Sequence, residues 1–210
     1  ALARYFNLEG KKVFGYDKTP SEITSTLIEE GIAIQFKDEV SLIPELIQKN
    51  KKTLIVCTPA ISKNNNILSW LNAKEYWVVK RSELLGEISK NSICLAVAGT
   101  HGKTTTSAIL GHLLASCNMP VTAFLGGVTE NYNSNLIYKG NEIMVVEADE
   151  FDRSFLHLRP TIACVTSMDA DHLDIYGSIS ELESTFVDFS KLVPDSNNLL
   201  FKTGLPLEGK

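Results

Sequence analysis

The chain has 210 residues, 44% hydrophobic and 21% charged, with 20 Lys and Arg against 25 Asp and Glu for a formal charge of −5. Those proportions are ordinary for a globular chain, and the length suits one large or two modest domains. The acidic balance argues against a nucleic-acid surface, and no apolar stretch is long enough for membrane insertion.

Strands and helices alternate along the chain. Ala1 to Phe6 reads as the middle of a helix with no strand before it. Lys12 to Tyr16 is a short strand closed by Asp17, and Ser21 caps a helix that runs through Glu30 to Gly31. Ile32 to Phe36 is the next strand, and Ser41 to Lys49 a short helix with Pro44 in its first turn. Thr53 to Cys57 is a third strand, turned by Thr58-Pro59, and a polar stretch at 63–66 leads into a helix through Asn72. Tyr76 to Val79 is a fourth strand. This βαβ alternation predicts a parallel sheet with helices on its faces.

A domain boundary is expected between Arg81 and Asn91, dividing the chain into residues 1–84 and 85–210. The second part runs strand (Ile93 to Ala98), glycine loop, helix (Thr104 to Cys117) and strand (Val121 to Leu125). A Gly126-Gly127 turn and an Asn-rich loop at Asn131 to Asn135 follow. Strands at Glu142 to Glu147 and Thr161 to Thr166, a helix at Ser180 to Leu192 and a strand at Leu199 to Phe201 complete it. The cysteines at 57, 94, 117 and 164 form no C-x-x-C pair, and three lie in apolar strand-like runs, which predicts free thiols and a cytoplasmic protein.

Gly99-Thr100-His101-Gly102-Lys103-Thr104-Thr105 carries the first chemistry. A buried strand, a glycine loop with Lys-Thr and a helix together make a triphosphate site. Glycines let backbone N–H groups approach phosphate, the helix N-terminus adds positive potential, and Lys103 adds a full charge. The Thr104 hydroxyl completes the site as a Mg²⁺ ligand. The loop is shorter than G-x-x-x-x-G-K-[ST], since Val97 stands where the first glycine would fall. The plain alternative is an ordinary strand-to-helix turn with an exposed lysine.

Two acidic clusters lie at predicted strand ends, where ligands of open α/β sheets gather. Ile143 to Val146 delivers Glu147, beside Asp149, Glu150 and Asp152. A strand-end carboxylate near a phosphate loop can hold Mg²⁺ against the phosphates. Ile162 to Thr166 leads to Asp169, Asp171, His172 and Asp174, and His172 is a candidate metal ligand as neutral imidazole.

The loop, Glu147-Ala148-Asp149-Glu150 and Asp171-His172-Leu173-Asp174 together resemble the Mur ligase family, ATP-dependent amino-acid ligases of peptidoglycan synthesis. The details, His101 included, resemble its alanine-adding branch. Thr185-Phe186-Val187-Asp188 lacks the lysine that several members carbamylate, as that branch commonly does.

The resemblance implies a Rossmann-like, parallel-sheet N-terminal domain for a UDP-sugar, lacking its first strand. It implies the first part of a phosphate-loop ATPase α/β domain after it, with an amino-acid-receiving domain beyond. It implies ATP and Mg²⁺ as cofactors, UDP-N-acetylmuramate and L-alanine as substrates, and an acyl phosphate between them. Gly99 to Thr105 would hold ATP, and Lys103, Glu147 and His172 would carry the chemistry. Thr104, Glu147 and His172 would hold metal, and Asp17, Thr58, Pro59, Asp149 and Glu150 would meet the substrate. A related recycling or folate ligase, and a non-enzymatic nucleotide-binding module, stand as alternatives. The chain reads as a fragment that is inactive alone, and its oligomeric state stays open.

Overall fold

The computed structural model describes residues 1–62, 64–169 and 176–207. Its contacts divide the chain into two units, Leu2–Leu84 and Leu85–Lys210, with Ala1 grouped with the second.

In the first unit, helix α1 (Leu2–Leu8) precedes strand β1 (Phe14–Tyr16), helix α2 (Glu22–Glu29) and strand β2 (Ala33–Gln35), which pairs parallel with β1. Ser21 starts α2 with a capping box. Its hydroxyl accepts from the Thr24 N–H, and its own N–H donates to the Thr24 hydroxyl at 2.8 Å. The helix expected over 41–49 is broken instead into a 3-10 turn (Val40–Leu42) and a short helix α3 (Glu45–Gln48). Pro44 causes the break, because it has no N–H to donate and holds the preceding Ile43 extended at ψ 126°.

Strand β3 (Leu54–Cys57), helix α4 (Asn66–Ala73) and strand β4 (Trp77–Lys80) repeat the parallel unit, with β3 against β4. Asn65 caps α4 by accepting from Leu68 N, and Asp38 accepts from the N–H groups of Asn66 and Ile67. Ile43, Ile67, Leu71 and Tyr76 form the core of this unit.

Among the described residues β1 pairs only with β2, and β3 only with β4. A cavity of about 330 Å³ is lined by Phe14, Gly15 and Tyr16 of β1 and by Leu54, Ile55 and Val56 of β3. Successive side chains of a strand point to opposite faces, so consecutive residues lining one cavity mean that strand edges border it.

The second unit holds a six-stranded sheet. Helix α5 (Arg81–Ser89), inside which the two units divide, leads to strand β5 (Ile93–Ala98) and helix α6 (Lys103–Ser116). Strands β6 (Val121–Thr129), β7 (Ser134–Tyr138), β8 (Ile143–Ala148) and β9 (Ile162–Val165) follow, then helix α7 (Ile179–Ser190) and strand β10 (Leu199–Phe201). The order is β10-β9-β5-β8-β6-β7, parallel throughout except for the antiparallel β6–β7 pair.

The near-continuous apolar runs of β5 and β8 fit strands covered on both faces. Val121, Ala123 and Val145 are wholly buried against Ala115 and Ile137. Each such valine side chain contributes roughly 1.5–3 kcal/mol by leaving water. Gly111 lets α6 approach closely, since a Cβ there would lie 2.7 Å from that of Ala123.

The Gly126-Gly127 turn is not what forms, and the loop expected over 131–135 shortens to a turn that ends at Asn133. Strand β6 runs through both glycines to Thr129, with a register shift between Phe124 and Thr129, and returns as β7. Glycines permit such an irregularity within a strand, and the Asn-rich segment supplies a hairpin turn with Asn133 at φ 46°. No helix among the described residues is long and apolar enough to cross a membrane.

Candidate active site

β5 lies between β8 and β9, so the carboxyl ends of three parallel strands stand side by side. The chain leaves β5 for one side of the sheet, through β6 and β8, and crosses to the other for β9. That reversal opens the crevice where α/β sheets bind ligands.

The loop from Gly99 to Gly102 is pinned from β9. Thr100 donates its N–H to the Ser167 carbonyl at 3.2 Å, and His101 donates its N–H to the Ser167 hydroxyl at 2.7 Å. The Thr100 and Ser167 hydroxyls lie 3.0 Å apart, Thr100 Oγ1 accepts from Asp169 N, and the Thr166 hydroxyl donates to the carbonyls of Ala98 and His101. Gly99 is obligatory here: its φ is 135°, and a Cβ would come 2.2 Å from Thr166 Oγ1. Gly102, at φ 80°, is the residue from which α6 starts. Sequence reading missed Thr166 and Ser167, although hydroxyl residues just beyond an apolar strand were the available signal.

Lys103 begins α6 but does not extend into solvent, against the alternative of an exposed lysine. Its side chain is 13% exposed and its Nζ donates to the Gly99 carbonyl at 2.7 Å and to Glu150 Oε1 and Oε2 at 2.9 and 2.8 Å. Thr104 Oγ1 donates to Glu147 Oε1 at 3.0 Å, and Gly126 N donates to Glu147 Oε2 at 2.8 Å. Gly126, likewise missed, also makes the room this carboxylate occupies, since a Cβ would lie 2.5 Å from Oε2. Thr105 is exposed on the first turn of α6.

After β8 the chain folds tightly. Asp149 Oδ1 accepts from Phe151 N and its carbonyl from Phe155 N, while Asp152 and Arg153 both adopt positive φ. Glu150, expected at the substrate, is instead fully buried, and its carbonyl accepts from the Tyr176 hydroxyl. Burial first, then the charge of Glu150, pushes that phenol up to about 12. Exposed His101 and Asp169 face each other at 3.8 Å.

Thr104 and Glu147 thus meet, as two hard oxygen donors that fit Mg²⁺. Their third expected partner, His172, lies outside the described residues, as do Asp171 and Asp174. No group of three His, Cys, Asp or Glu side chains able to hold a metal occurs among the described residues.

Three of the remaining expected site residues belong to the first unit. Asp17 follows the carboxyl end of β1, where its Oδ1 accepts from Thr19 N, and Thr58-Pro59 follows that of β3, with the Thr58 carbonyl accepting from Ile61 N. All three are exposed.

Comparison with known proteins agrees with this architecture. Residues 1–92 match the catalytic domain of the Mur ligase family, and residues 97–203 match the Mur ligase middle domain. A relative from Flavobacterium psychrophilum, UDP-N-acetylmuramate--L-alanine ligase, is 59% identical over all of this chain and 46% of its own length. One of the same name from Christiangramia forsetii is 55% identical over the same shares.

The chain therefore spans about half the length of these relatives. The crystal structure of UDP-N-acetylmuramate-alanine ligase from Thermotoga maritima matches 99% of this chain and 47% of that one, at 26% identity and a TM-score of 0.85. Both matched domains, the relatives and the glycine loop at the sheet's switch point lead to one assignment: the chain belongs to the Mur ligase family.

Proposed function

We propose that this chain is the UDP-sugar domain and the first part of the ATP-binding domain of a ligase. That ligase joins L-alanine to the lactoyl carboxylate of UDP-N-acetylmuramate in the cytoplasm. The observation that carries the reading is that Thr104, next to Lys103 at the start of α6, donates to Glu147 at the end of β8. The shared name of the relatives at 55–59% identity supports the choice of amino acid and sugar.

In the reaction the lactoyl carboxylate attacks the γ-phosphorus of ATP, and the bond to the β,γ-bridging oxygen breaks as ADP leaves. The amine of L-alanine then attacks the acyl carbon, and phosphate departs as the amide forms. The first step brings two anions together, so neutralising their charge lowers its barrier most. Lys103 supplies a fixed cation, and the N-terminus of α6 presents its first N–H groups to the phosphates. Thr104 and Glu147, with His172, would hold Mg²⁺, which when bound neutralises phosphate charge. Asp17, Thr58 and Pro59 would meet the nucleotide sugar at the carboxyl ends of β1 and β3, and Asp149 would face the acceptor.

The test is ligation by the full-length polypeptide carrying Lys103→Ala. Product formation is expected to vanish while the circular dichroism spectrum and UDP-sugar binding persist. Turnover at the wild-type rate would overturn the assignment of the ATP site.

A further inference from the structure

An ammonium group has three N–H donors. Those of Lys103 are matched by three acceptors within the protein: the Gly99 carbonyl at 2.7 Å and the Glu150 oxygens at 2.9 and 2.8 Å. The lysine that the phosphate loop should offer to a nucleotide is already saturated.

Its partner is built in rather than incidental. Glu150 is 0% exposed, its carbonyl accepts from the buried Tyr176 hydroxyl, and the Phe155 N–H to Asp149 carbonyl bond folds the following residues back. The carboxylate is therefore fixed from the backbone side, while Lys103 reaches it through a flexible four-carbon stem. A buried carboxylate is stable only with a cation or donors against it, so the two groups hold each other.

We propose that Glu150 is the positioning residue of Lys103: a buried counter-ion that holds the ammonium across the loop until the phosphates of a nucleotide displace part of the pair. The proposal rests on the reading of the loop as an ATP site. Nucleotide binding is then an exchange of acceptors on Nζ, in which phosphate oxygens replace one or both carboxylate oxygens while the Gly99 carbonyl retains its bond. Lys103 is delivered in a set place, and part of the binding free energy goes into loosening it from Glu150.

The consequence runs against ordinary expectation for a polar residue in an active site. Glu150→Gln keeps the shape and one acceptor but removes the competing charge, so nucleotide should bind more tightly, by about tenfold. Glu150→Asp keeps the charge but shortens the reach, so bidentate pairing fails and a smaller tightening is expected. In a Lys103→Met background, Glu150→Gln should leave nucleotide affinity where it was, because the residue acts through the lysine.

Titration of the full-length protein with a fluorescent ADP in the presence of Mg²⁺ reads all three, with thermal melting as the check on folding. Unchanged or weaker binding in both single variants overturns the proposal, and Glu150→Asp decides alone if Glu150→Gln does not fold. Equal tightening in the Lys103→Met background also overturns it, since Glu150 would then repel the phosphates directly. Failure of the wild-type protein to bind ADP at all refutes the ATP-site reading itself, and the proposal with it.

Discussion

At the scale of single residues, the site depends on atoms that must not be there. Gly126 gives Glu147 both an N–H and the space a methyl group would fill. Gly126→Ala should therefore displace the carboxylate and raise the Mg²⁺ concentration needed for half-maximal ligation by the full-length enzyme. At Gly127 a Cβ would meet only Thr104 Cγ2, at 3.5 Å, so Gly127→Ala should be nearly neutral by the same measurement. The thiols offer an independent check on burial. Burial pushes the Cys94 thiol up to about 12, whereas Cys117 is exposed. Mass-mapped alkylation should label Cys117 first and Cys94 only on unfolding. Tyr176 adds a pH signature. Its folded-state value of about 12 exceeds the ordinary 10.0. The folded chain keeps a proton that the unfolded chain releases, so this stabilisation is complete below pH 10 and fades as pH rises towards 12. The melting temperature of the wild type should fall more steeply over that range than that of Tyr176→Phe.

At the scale of elements, the first unit presents two parallel strand pairs whose edges border one cavity. Parallel sheets are ordinarily covered, yet the residues of β1 are half-buried, and so is β3 apart from the exposed Val56. In the second unit, by contrast, β5 is paired on both sides.

At the scale of the molecule, the two units differ in how deeply their strands are covered. Val121, Ala123, Val145, Ala163 and Val165 are wholly buried, whereas among the described residues none in β1 to β4 is. Local opening costs least where backbone hydrogen bonds are least covered. Hydrogen exchange should be slowest in β5, β6 and β8 and fastest in β1–β4, and ADP with Mg²⁺ should add protection in the second unit around the loop and the start of α6. Uniform exchange across all strands would contradict this division.

The sequence by itself determined what neighbours along the chain decide. Ser21 as a cap, Gly99 and Gly102 in the loop, the apolar runs of β5 and β8 and the Lys-Thr at the start of α6 were legible, because each depends on a few adjacent residues. Pro44 was equally local, yet it was read as the first turn of a helix when its missing N–H makes it a break. Strand β7 was hidden because a glycine pair and an Asn-rich segment signal a turn, while only pairing across the sheet reveals that the strand continues. Most of all, Lys103 and Glu150 stand 47 residues apart and meet because β8, not β6, lies beside β5. Strand order arises from burial of whole faces rather than from any local pattern, so the counter-ion of the loop lysine, and the hydroxyls of Thr166 and Ser167 that pin the loop, were decided only by the tertiary structure.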